Sequence, residues 1–85
     1  MEENFLVIME TEEEERIKCF WTKNIAELLK FFQIAKDINI PIDIPCDTDS
    51  ERTKYDGSEA YIESIRIQFG SSQSLTTLTI IVRVI

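Results

Sequence analysis

Five carboxylates fall within residues 10–15, at Glu10, Glu12, Glu13, Glu14 and Glu15, in the stretch METEEEERIKCFW. A second acidic group, Asp47, Asp49 and Glu51, has the spacing of the first three ligands of a calcium loop. Paired carboxylates can do acid–base work, and spaced ones can hold a hard cation. The calcium pattern fails at its two most demanding places. Its sixth position, where a sharp turn needs glycine, is Arg52, and its twelfth, which should be a bidentate glutamate, is Ser58, with Glu59 one place too late. The residues around Asp47, Asp49 and Glu51 are therefore expected to be a solvated acidic loop, and no metal is expected.

Other chemistries are limited by what is missing. The chain has no histidine, so a Cys–His or Ser–His nucleophile pair cannot form within it. Two cysteines, Cys19 and Cys46, cannot supply a four-ligand zinc site. They are expected to be free thiols, one a small strand hydrophobe and the other part of an extended segment. Only Gly57 and Gly70 are available as glycines, so there is no glycine-rich phosphate cradle. The expectation is a protein without catalytic activity or cofactor.

Charge narrows the partners. Sixteen acidic against nine basic residues give a net charge of -7. Such a surface repels nucleic-acid phosphates and anionic lipid, whereas a basic groove on another protein would attract it. No apolar run approaches the ~18 residues that cross a bilayer, and the first ten residues are acidic where a secretory signal is basic. The cytosol is the expected compartment.

The elements that must position these residues can be read from periodicity. Residues 5–9 form a short apolar run, the pattern of a buried strand. Residues 16–22 then alternate Ile17, Cys19 and Trp21 against Lys18, Phe20 and Thr22, so the two segments predict a hairpin with the glutamates at its tip. A helix follows from Asn24, with Glu27 completing a capping-box pattern. Its apolar residues, among them Leu28, Phe31, Phe32, Ile34 and Ile38, span more than half the wheel, which predicts cover on two sides. Asn39 is the expected stop. The segment NIPIDIPCD alternates like a strand, but its two prolines restrict it to a sheet edge or an extended cover. Residues 59–69 and 75–85 alternate on either side of a short polar turn and predict a second hairpin. Ile65, Ile67, Phe69, Leu78, Ile80, Val82 and Val84 are its expected core face. Ile62, Ser64, Arg66, Thr79, Ile81, Arg83 and Ile85 are assigned to the opposite face.

The fold expected is α+β: one small domain over residues 1–85, β-β-α-(extended)-β-β, with an antiparallel sheet of four or five strands and a helix packed on one face. Of its 85 residues 44% are hydrophobic, a generous share for a body this small, so some apolar surface can be left for association. Phe20, Ile62 and Ile81 are the expected apolar contacts. Glu10, Glu12, Glu13, Glu14, Glu15, Asp47, Asp49 and Glu51 are the expected charged ones.

Three functions follow. The leading expectation is an acidic protein-binding module that mimics nucleic acid, an inhibitor docking its loops on the basic, nucleic-acid-binding groove of a partner protein. Small acidic inhibitors encoded by phages and mobile elements share this size and charge, a likeness of composition and not of motif. The alternatives are a sheet-mediated homo-oligomer, a homodimer above all, and a regulatory domain that binds a small ligand.

Overall fold

The structure, a computed structural model, describes residues 5–44, 54–70 and 76–85. Along the chain come β1 (Phe5–Thr11), β2 (Arg16–Thr22), α1 (Ile25–Asp37), β3 (Ile42–Asp43), β4 (Glu59–Phe69) and β5 (Thr76–Val84). The strands form one five-stranded sheet in the order β2-β1-β5-β4-β3, curled as a half-barrel, with the helix on one face.

Both hairpins form, yet the sheet is mixed and not antiparallel throughout. β1 pairs with β2, and β4 with β5, in antiparallel fashion, while the two hairpins join through their inner strands, β1 and β5, which run parallel. A parallel join needs a long crossover, and the helix with the following β3 and β4 provides it. Periodicity within each hairpin carries no information on how the two meet.

The core lies between the helix and the sheet. Val7, Met9 and Ile17 meet Leu78, Ile80 and Val82 there, with Ala60 and Ile62 from β4, Phe32 and Ala35 from the helix, and Ile42 and Ile44 beside β3. Each buried Val, Leu or Ile side chain contributes about 1.5–3 kcal/mol relative to exposure.

Two bulges decide which residues reach it. In β4 the pairing passes from Ile62↔Val82 to Ser64↔Ile81, so Glu63 is an extra residue and the inward phase changes from even to odd numbers. Ile62 is thereby 7% exposed and in the core, contrary to its assignment to the outer face by strict alternation. In β2 the pairing passes from Met9↔Lys18 to Glu10↔Arg16, leaving Ile17 as the extra residue. Ile17 and Lys18 are both buried, and Cys19 and Trp21 face outward, where alternation had grouped them with Ile17.

The helix ends as its sequence prescribes and begins otherwise. Asn39 takes the left-handed conformation, φ 56°. Its N–H bonds the Lys36 carbonyl, and that of Ile40 reaches back to Ala35, the pair of bonds that closes a Schellman motif. At the start, Asn24 is the N-cap but its side chain makes no capping bond, so the expected capping box does not form. Among the described residues one flank is covered: Phe32 and Ala35 are buried, whereas Phe31, Ile34 and Ile38 remain about half exposed.

The proline-rich segment contributes β3, a two-residue edge strand pairing Ile42 with Ala60 and Asp43 with Glu59.

Candidate functional site

The glutamate run folds into the tight end of the β1–β2 hairpin. The Glu14 N–H bonds the Thr11 carbonyl at 3.0 Å, and the Thr11 N–H bonds the Glu15 carbonyl at 2.9 Å. The Thr11 hydroxyl also accepts the Glu15 N–H at 3.2 Å. This is a three-residue hairpin loop, in which the last loop residue must be left-handed. That residue is Glu14, at φ 63°. Glycine or asparagine suits the position, and a residue with a longer side chain carries roughly 1–2 kcal/mol of strain.

The five carboxylates have different surroundings. Glu12, Glu13 and Glu14 are exposed at the tip. Glu10 lies half-buried back in the sheet, across from Arg16 of β2 and beside Ile81 of β5. Glu15 is held by the turn that precedes β4: it accepts the Tyr55 hydroxyl proton at 2.6 Å and pairs with the Lys54 ammonium at 3.1 Å. The hydroxyl, and secondarily the ammonium, hold the Glu15 carboxyl below its ordinary range. The hydrogen bonds to its carboxylate, and secondarily its negative charge, in turn raise both Tyr55 and Lys54.

That turn is itself fixed. The Ser58 N–H bonds the Tyr55 carbonyl at 3.0 Å, with Gly57 at φ 79°, a sign of φ that glycine adopts without strain. Ile44 and Gly57 tie it to the end of β3. Beneath it, the Lys18 ammonium meets Asp56 at 2.7 Å, with only 5% and 11% of the two side chains exposed. A buried charge must be paired, so this contact determines where the turn sits on β2.

Between tip and turn lies an open hollow of about 440 Å³, lined by Glu12, Glu13, Glu15, Tyr55, Arg83 and the β5 valines. Its lining mixes carboxylates with the Arg83 guanidinium and the Tyr55 phenol, and the Lys54 ammonium lies 5.1 Å from the centre of that ring.

The expected apolar contacts do not form one surface. Phe20, opposite Val7, packs on the core side and is half-buried. Ile62 is interior. Ile81 is on the opposite, helix-free face, with Thr79 and Arg83, and is half-buried. Trp21, 57% exposed, and its neighbour Cys19 are exposed on that face at β2, and Ile85, 68% exposed, follows Ile81 and Arg83 at the end of β5. Across β4 and β5 the same face turns polar: Arg83 lies over the Tyr61 ring and bonds Glu63 at 2.9 Å. Asp47, Asp49 and Glu51, with Cys46, lie outside the described residues. Among the described residues no group of three acidic or cysteine side chains is placed to hold a metal, and no helix is long and apolar enough to cross a membrane.

Sequence reasoning missed the residues that hold the tip: Lys18, Lys54, Tyr55 and Asp56. One signal was present, because Lys18 is in phase with Phe20 and therefore points inward if Phe20 does. No protein-family model, curated protein or solved structure matches the chain.

Proposed function

We propose that this chain is a small cytosolic, non-catalytic binding module that places its acidic hairpin tip in a basic groove of another protein, and that it inhibits that protein where the groove would otherwise hold nucleic acid. The observation that supports this most is Glu14. A three-residue hairpin loop with a glutamate in the left-handed position gives up local stability to keep a third consecutive carboxylate at the tip. Strain of this kind concentrates where a surface is used. The clasp around Glu15 adds to it: a tip fixed before contact loses less entropy on docking.

The test is binding, by charge-neutral variants that leave the clasp intact. Changing Glu12, Glu13 and Glu14 together to glutamine should lower the association rate with the partner roughly tenfold to a hundredfold at low salt. The partner is found by capture from nuclease-treated lysate and re-tested pure, with a nucleic-acid duplex as competitor. Equal binding by wild type and variant, or no competition by the duplex, would remove the reading.

A further inference from the structure

We propose that the outer edge of β4 pairs with the same edge of a second copy of this chain, antiparallel and two-fold about Ile67, to make one continuous sheet. β3 covers β4 only at Glu59 and Ala60, so among the described residues the strand has no partner on that side over residues 61–69. An uncovered edge of this length is a template for strand addition. On the helix side of the edge, Ile67 is 41% and Phe69 81% exposed, although both are in the inward phase.

The choice of occupant comes from charge. In a chain of net charge -7, residues 64–70 contain no carboxylate and a single cation, Arg66. A two-fold at Arg66 would set two guanidiniums face to face, and one at Ile65 would set Ile67 against the partner's Glu63. A two-fold at Ile67 avoids both: Ile65 opposes the partner's Phe69 on the helix side, and Arg66 opposes the partner's Gln68 on the other. Apolar pairs directly opposite one another stabilise such a join, and like charges oppose it. The surface is remote from the acidic tip, so the proposal is independent of the function above.

Light scattering of the full chain over a dilution series tests it. The wild type should dissociate on dilution, and Ile67→Lys, which puts like charges on the axis at a tolerant exposed site, should raise the dissociation constant at least about tenfold. Salt should tighten this dimer by screening two negative chains, the opposite of its effect on docking at the tip. Register is read separately in a Cys19→Ser, Cys46→Ser background. Ile67→Cys should form a disulfide-linked dimer on mild oxidation, while Phe69→Cys alone should not, and should link when mixed with Ile65→Cys. A chain that is monomeric at every concentration, a dimer indifferent to Ile67→Lys, or equal cross-linking through Trp21→Cys on β2 would overturn the proposal.

Discussion

The acidic end of the sheet and the outer edge of β4 are built in opposite ways. At the acidic end the β1–β2 tip and the turn before β4 are locked by side chains: Lys18 to Asp56 beneath, Glu15 to Tyr55 and Lys54 above. Along the β4 edge, backbone pairing to β5 and apolar contacts do the holding, and a bulge at Glu63 sets which residues face the helix. Where charge is concentrated, repulsion is offset by specific side-chain pairs. Where charge is sparse, the edge can stay open.

The largest effect should come from breaking the buried pair. Asp56→Ala leaves the Lys18 ammonium in a site only 5% exposed, which costs about 3–5 kcal/mol, a large part of the ~4–13 kcal/mol expected for a domain of this length. Urea unfolding of Asp56→Ala against the double variant with Lys18→Met separates charge from packing, because removing both charges should restore most of the loss. A cost below about 1 kcal/mol would place the pair among hydrated surface contacts and leave the turn held by its backbone bonds to Ile44.

The second comparison is internal to β4. Ile62→Ala should cost about 2–5 kcal/mol by opening a cavity in the core. Ile67→Ala, at a half-covered site, should cost less than about 1.5 kcal/mol in dilute solution. Strict alternation predicts the reverse order, so the same two unfolding curves also test the bulge.

That reversal marks how far the sequence was legible. Both hairpins, the helix with its Asn39 stop and the edge placement of the proline segment follow from short-range patterns, which are properties of neighbouring residues. What neighbours do not encode was missed: the parallel join of β1 to β5, and the pairing of Lys18 with Asp56 from far along the chain. Ile62 is an intermediate case. Its spacing of three from Ile65, with the charged Glu63 between, is a break of phase that a bulge resolves, and it was visible in the residues alone. Of the site, the glutamate run was legible as a tip. The division among sheet, tip and clasp was not, because it depends on a turn 40 residues away.

A smaller effect is expected at Glu14. Glycine there would relieve roughly 1–2 kcal/mol of left-handed strain and lose roughly 0.5–1 kcal/mol to its own unfolded-state freedom, a net gain of up to about 1.5 kcal/mol. Thermal unfolding of Glu14→Gly should therefore show a small rise in Tm together with weaker partner binding. A gain in stability with unchanged binding would separate the strained residue from the function proposed for the tip.

The smallest effect concerns pH. Because the Tyr55 hydroxyl and the Lys54 ammonium lower the Glu15 carboxyl, its contribution is present above the ordinary carboxylate range and is lost as pH falls through the lowered value. Tyr55 and Lys54 are raised, so theirs is present at neutral pH and is lost as pH rises through their folded values, above the ordinary ranges of those groups. The clasp is thus closed across the neutral range and opens at both extremes. Exposure keeps its contribution small, and other carboxylates also titrate in acid. The informative quantity is the stability difference between wild type and Glu15→Gln followed from acid to alkaline pH. It should form a plateau centred on neutrality and shrink on both sides. A flat difference would mean that the Thr11 turn alone fixes the tip, with Glu15 then as free to meet a partner as Glu12, Glu13 and Glu14.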